Sequence, residues 1–333
     1  EDKLRSQGDH DRLIELLLGR MDVEPQSSGR ASCLIQVAQL FETAKGQLAE
    51  AFQAALAAYK EDPKTVSLDE VERLAGQAGQ WVELLTEMRD LVPRQPRGEQ
   101  AVLWLRIARL YGEKLNHHEY ALASLGEAQK LGIPDGEKKA LLLLRTDLSR
   151  RAQRWKDLAD ALGQLAELCE EKDKCVDCYM EQGELLETRL SDGAAAIDAY
   201  KKARQADPNS RDALVALEHT LRRAARWDEL IVLLDEKAGL AAAQSDAPGQ
   251  LKARREAAQI QAEHGTDRKA SIRRWEDVHK LAPEDIDVLR ALERLYANEG
   301  SVSEAYLKVL SDLAQLVPSD KERLTLYRRL AAE

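Results

Sequence analysis

The chain has 333 residues, of which 44% are hydrophobic, 32% charged and only 5% aromatic, which is too apolar for a disordered chain and long enough for two ordinary domains or one long array. Its net charge of −10, from 49 basic and 59 acidic residues, argues against bulk nucleic-acid binding, which needs a net basic surface to displace phosphate counterions. No apolar run approaches bilayer length, Leu141 to Leu144 being among the longest, so direct membrane insertion is excluded from the expectations. Leu, Ala, Glu and Arg dominate, and these are good helix formers. Strand-type runs of Val, Ile, Thr and aromatic residues are missing.

Residues 1–9 read as the end of one helix feeding a turn. Residue 1 is Glu rather than Met, no signal peptide follows, and residues 319–333 begin a helical pattern that stops. The sequence therefore reads as a fragment of a longer protein. Leu13-Ile14-Glu15-Leu16 opens a series continued by Gln80-Trp81-Val82-Glu83-Leu84, Arg154-Trp155-Lys156-Asp157-Leu158, Arg226-Trp227-Asp228-Glu229-Leu230 and Val302-Ser303-Glu304-Ala305, at intervals of 68, 74, 72 and 75 residues.

A second marker set runs out of phase. Pro63, Pro134, Pro208 and Pro283 stand 71, 74 and 75 residues apart. Upstream of each lies a small residue, Ala51, Ala121, Ala196 or Ser271, followed seven residues later by Ala58, Ala128, Ala203 or Val278. Two marker sets sharing one period define an internal repeat. The expected units are approximately 1–63, 64–134, 135–208, 209–283 and 284–333, in a single solenoid over 1–333 with about nine helix pairs.

Between Pro208 and Pro283 the apolar spacing predicts four helices, over 210–223, 227–240, 251–264 and 268–281. Short connections make consecutive helices antiparallel neighbours. Longer breaks are expected after the Trp helices, at 25–29, 93–98, 245–249 and 318–319. The small residues at 51, 121, 196 and 271 allow close helix approach, so Ala196→Phe is expected to cost roughly 1–3 kcal/mol by overpacking. Trp81, Trp155 and Trp227 are expected to bury large apolar areas.

With these positions in hand, the sequence resembles tetratricopeptide repeats. Ala196, Ile197, Tyr200, Ala203 and Pro208 match the second helix and terminal proline of that family's 34-residue unit. Residues 51–63 and Ser271, Ile272, Trp275, Val278 and Pro283 follow the same frame, and 121–134 fits with one inserted residue. The resemblance spans essentially the whole sequence. It implies an all-α, right-handed α-solenoid of antiparallel helix pairs wound as a superhelix, serving as a protein–protein interaction scaffold or adaptor; HEAT-like and other α-solenoids are the alternative. The sequence departs from the family where Glu218 and Glu293 occupy a position usually small, and where alternate units lack the proline. The abundance of Ala, Arg and Glu suggests a bacterial source.

No enzymatic activity is expected, because no GxSxG, P-loop, HExxH or dinucleotide-type glycine pattern occurs. His117 and His118 are adjacent, so on a helix they would point about 100° apart, a poor metal pair. Cys175 and Cys178 form a CxxC with Cys169 six residues before it, and a helix start can stabilise a thiolate. Zinc binding by the three cysteines with Asp173 or Asp177, or a redox role, is the minor alternative; ordinary thiols in a cytoplasmic setting, with no metal and no cofactor, are the expectation.

In the family, first helices line a concave groove. Counting from the proline and Trp markers places Asp147, Arg150, Arg151, Asp212, Val215, His219, Arg222, Arg223, Arg290, Arg294 and Asn298 on that surface, with Arg73 and Arg189 at comparable places. Arg150-Arg151 and Arg222-Arg223 share one phase and are expected to stack as an arginine ladder. The partner-binding set is thus Arg73, Arg150, Arg151, Arg189, Arg222, Arg223, Arg290 and Arg294. Arginine's planar fork suits bidentate carboxylate recognition, which points to an acidic peptide, the C-terminus of a partner protein or an acidic protein surface. Some members of the family the sequence resembles bind small GTPases. A structural or self-assembling spacer within a larger complex is the competing reading, and pairing of these arginines with acidic neighbours is the competing account of the ladder.

Overall fold

Each Trp phrase opens a helix. Trp81, Trp155 and Trp227 are first residues of their helices, and the residue two places earlier takes left-handed backbone, Gly79, Gln153 and Ala225 at φ 70°, 56° and 53°. The same conformation precedes helices that lack Trp, at Gly46, Asn116 and Ser191. Between residues 46 and 225 one turn type therefore reverses the backbone every 33–38 residues, and Ser245 at φ 59° takes the same conformation two residues before the helix that begins at Ala247. The N–H after each left-handed residue closes the preceding helix, as Gln80 does on the Ala75 carbonyl, Arg154 on Ser149 and Arg226 on Leu221.

The computed structural model describes Leu4 and residues 7–299 and 303–332. The expected helix end at 1–9 and the marker residue Val302 lie largely outside the described residues. Among the described residues there are eighteen α-helices and no strand. The protein divides into two compact units, Glu1–Cys169 and Glu170–Glu333, a boundary falling between the two helix pairs of the expected 135–208 unit.

The first unit contains α1 (His10–Val23), α2 (Ser27–Leu40), α3 (Leu48–Glu61), α4 (Leu68–Ala78), α5 (Trp81–Leu91), α6 (Arg97–Glu113), α7 (His118–Leu131), α8 (Asp135–Arg151) and α9 (Trp155–Glu167). The second contains α10 (Lys172–Thr188), α11 (Gly193–Ala206), α12 (Arg211–Arg223), α13 (Trp227–Ala243), α14 (Ala247–His264), α15 (Arg268–Leu281), α16 (Ile286–Glu299), α17 (Glu304–Leu316) and α18 (Asp320–Ala332). Within each unit every helix packs on its successor, and first helices also meet one another, α6 on α8 and α10 on α12. This is an all-α array of consecutive antiparallel helix pairs, with even-numbered helices as first helices and odd-numbered as second.

Pro63, Pro134, Pro208 and Pro283 follow α3, α7, α11 and α15 directly or within a few residues. The small markers lie on those same four helices. Ala51, Ala121 and Ala196 are fully buried, as are Ala58, Ala128, Ala203 and Val278, and Ser271 nearly so. The intervening second helices instead bury Leu84, Leu158 and Leu230. Small-residue and large-residue second helices alternate, which is why the sequence repeats every two pairs. A Cβ on Gly183 of α10 would lie 2.4 Å from the ring of buried Tyr200 on α11, so only glycine admits this crossing.

One expectation is refined and one corrected. Trp81, Trp155 and Trp227 are half-buried, and Trp81 and Trp227 pack against the buried core. As first residues of their helices they sit beside the turn: Trp81 lies against Gly76 with the Lys114 ammonium 5.5 Å from its ring centre, and Trp227 stacks on His264 at 4.0 Å. The break at 245–249 is also shorter than expected. Pro248 and Gly249 lie inside the first turn of α14, where a missing N–H costs nothing, and the Asp246 carboxylate accepts from the Gly249 N–H at 3.0 Å. Residues 27–29 likewise belong to α2.

Candidate functional site

All eight expected partner-binding arginines lie on first helices or their ends. In the first unit, Arg73 is on α4, and Arg150 and Arg151 end α8. In the second, Arg189 caps α10, Arg222 and Arg223 end α12, and Arg290 and Arg294 are on α16.

Four of these eight cations meet acidic groups roughly one helix pair away. Arg73 holds Glu42 bidentately at 2.6 and 2.8 Å and also grips Glu70 at 2.6 and 2.8 Å. The hydrogen bonds from Arg73 keep the Glu42 carboxyl below the usual carboxylate range, against the upward pull of burial. Arg222 donates to Glu256 of α14 at 2.5 Å and to Glu218 of its own helix at 3.1 Å, and the Glu256 bond foremost holds its guanidinium above its ordinary value. Arg223 donates to Glu187 of α10 at 2.5 Å. Arg290 reaches Glu322 of α18 at 3.1 Å, and Arg151 stays within its helix on Asp147 at 3.0 Å. Arg150, Arg189 and Arg294 are exposed.

Glu187 is the hub of one such set. Its carboxylate is 13% exposed and also accepts from the Thr220 and Tyr200 hydroxyls at 3.3 and 3.4 Å. Burial, with Glu187 and Glu184 next, pushes the Tyr200 hydroxyl up to about 12. The departures at Glu218 and Glu293 are compensated in the same way, Glu218 by Arg222 and Lys237 and Glu293 by Arg329. Removing a partner would leave a mostly buried charge, which is costly.

One first-helix surface stands out for what it leaves to solvent. Val215, His219 and Arg222 lie at i, i+4 and i+7 on α12, so they share a face, with Arg223 beside it. Val215 is 62% exposed, His219 64%, Arg222 45% and Arg223 62%. The opposite face of α12 buries Ala213, Leu217 and Leu221. The exposed stripe thus combines an aliphatic contact with two guanidinium groups, each bonded to carboxylates through one terminal nitrogen.

The sequence alone did not identify the acidic partners Glu42, Glu187, Glu256 and Glu322. Their signal was present as Arg–Glu separations of 31–36 residues, one helix pair. Nor did it reveal that arginines of α14 and α15 meet Asp235 of α13 in a basic depression. Cys175 is buried in α10, and Cys169 and Cys178 are half-buried. Among the described residues no three His, Cys, Asp or Glu side chains are grouped to hold a metal ion. His117 caps α7 exposed, while His118 is half-buried as its first residue. No helix among the described residues is long and apolar enough to cross a membrane.

No family model and no curated protein matches the sequence. Among solved structures, the protein is similar to one described as Naa15/Naa10 bound to HypK-THB, with 18% identity over 96% of this chain and a TM-score of 0.31; it spans 58% of that chain. It is similar to YrrB, described as a TPR protein with an unusual peptide-binding site, with 14% identity over 72% of this chain and 97% of the other, TM-score 0.29. MamA from Desulfovibrio magneticus RS-1 is similar at 17% identity over 59% of this chain and 98% of the other, TM-score 0.28. Likenesses at this level carry no argument of their own. The tetratricopeptide-like character rests on the helix pairs, the repeated left-handed turn and the buried small residues.

Proposed function

We propose that the protein is an interaction scaffold that docks an acidic segment of another protein on its first helices, with the exposed face of α12 as the main contact in the second unit. The observation that carries this reading is the stripe of Val215, His219, Arg222 and Arg223, which the fold leaves outside its packing. Arg222 reaches both Glu218 and Glu256 through one terminal nitrogen, Nη2, so the rest of its planar fork stays available to an incoming carboxylate without loss of these pairs. Guanidinium groups bind carboxylates bidentately, and Val215, two turns earlier on α12, offers an apolar anchor on the same helix. Arg150 and Arg151 at the end of α8 offer the same chemistry in the first unit. The occupant is an acidic peptide, including one ending in a free C-terminal carboxylate.

The test is fluorescence anisotropy with a labelled Asp/Glu-rich peptide that carries a free C-terminus and one leucine. Saturable binding is expected, weakened about tenfold or more by Arg222→Glu with Arg223→Glu, and weakened again as salt shortens the Debye length. Binding indifferent to both the charge reversal and the salt would reject the reading.

A further inference from the structure

The helix pair α14–α15 is basic within an acidic protein. Residues 247–281 hold eight Lys and Arg against five Asp and Glu, whereas the whole sequence carries −10. Three of these arginines converge with α13 on a depression of about 310 Å³ lined by Asp235, Arg254, Ala270, Arg273, Arg274 and Asp277. It lies on a different set of helices from the α12 stripe.

The depression is built around one shared carboxylate. Asp235 of α13 accepts from Arg254 of α14 at 2.9 Å and from Arg274 of α15 at 2.8 and 3.0 Å. Both arginines bind it through a single terminal nitrogen, so each keeps the rest of its planar fork for other acceptors. Asp277, the second carboxylate, is taken by Lys280 at 2.8 Å. Arg273 is exposed and makes no hydrogen bond or ion pair among the described residues. Three arginines thus line the depression with two carboxylates, one of which is already taken by Lys280 from outside the lining. A structural clamp between α13, α14 and α15 accounts for Asp235, Arg254 and Arg274, but not for a third arginine held beside them, since like charges in proximity repel.

We infer that this depression is an oxyanion-binding site, taking a phosphate monoester or a carboxylate group through Arg273 and the free edges of Arg254 and Arg274. Asp235 preorganises two of the three guanidinium groups, which lowers the ordering needed on binding. An oxyanion supplies the negative charge that Arg273 lacks, and arginine forks match both phosphate and carboxylate geometry. This inference is independent of docking on α12.

Calorimetric titration of the 333-residue protein with inorganic phosphate, and separately with glutarate, at constant ionic strength tests it. Saturable binding of at least one anion is expected. Arg273→Ala should weaken it about tenfold, since a charged hydrogen bond is lost, and Arg273→Lys should weaken it less. Arg222→Glu with Arg223→Glu should leave it unchanged, which separates this site from the α12 surface. Tighter phosphate binding assigns a phosphoryl group as the natural occupant, and tighter glutarate binding assigns a carboxylate. Arg273 is exposed, so its variants should keep the wild-type far-UV circular dichroism. No saturable binding of either anion, or equal binding by the wild type and Arg273→Ala, overturns the inference.

Discussion

Gly183 offers a direct probe of how closely two helices cross. A Cβ at that position would lie 2.4, 2.7 and 2.8 Å from Cε1, Cζ and Cδ1 of Tyr200. Ordinary carbon contacts are about 3.5–4.0 Å, so the ring must retreat by roughly 1 Å. It has little room, being 3% exposed with its hydroxyl on Glu187. Overpacking of this kind costs about 1–3 kcal/mol, and replacing a mid-helix glycine by alanine returns about 0.8–1.0 kcal/mol. Gly183→Ala should therefore be destabilising by about 1 kcal/mol. Gly239 is the control, because it sits inside α13 with nothing within 4 Å of its Cβ position. Gly239→Ala should stabilise by the full propensity gain of about 0.8–1.0 kcal/mol. Urea unfolding followed by far-UV circular dichroism measures both. Adding Tyr200→Leu to Gly183→Ala should remove the conflict and show as a favourable coupling in a double-mutant cycle. If Gly183→Ala gained as much stability as Gly239→Ala, the close crossing of α10 and α11 would be wrong.

Three further outcomes are expected. Gln153 and Ala225 hold the left-handed turn without being glycine, a conformation that costs a side-chain-bearing residue about 1–2 kcal/mol; Gln153→Gly and Ala225→Gly should each raise stability by about 0.5–1 kcal/mol in urea, after the entropy glycine loses, whereas Gly79→Ala should lower it. Tyr200, pushed up to about 12, should stay protonated in an ultraviolet titration past the ordinary tyrosine value of about 10. Because its folded value lies above the unfolded one, its contribution is complete below about pH 10 and should fade as pH rises from there towards 12. Glu42 has the opposite sign: its carboxyl is lowered by Arg73, so its contribution is present above the unfolded value of about 4.3 and lost as pH falls through the lower folded one. Glu42→Gln should flatten the acid limb of a stability–pH curve.

The array was legible because its signals are local. Proline after α3, α7, α11 and α15, and alanine at 51, 121 and 196, report helix ends and tight crossings within a few residues of themselves. The halved structural period was harder to see, since alternate second helices fill the same space with Leu158 or Leu230 instead of alanine. The Trp residues were legible as packed apolar area, which Trp81 and Trp227 do place against the core, but only their position at a helix start shows that they also sit beside a turn. The first-helix arginines could be placed on their helices from the repeat, whereas Glu42, Glu187 and Glu256 become their partners only once helices one pair apart lie side by side. The depression around Asp235 was hidden for the same reason, as its three arginines come from two helices and meet through a third.

The most direct measurement places a photo-crosslinking amino acid at Val215 of α12 and, separately, at Val232 of α13, valines that are 62% and 57% exposed on a first and a second helix. With the acidic peptide present, the Val215 variant should capture it and the Val232 variant should not. Capture at Val232 with none at Val215 would contradict docking on the first helices.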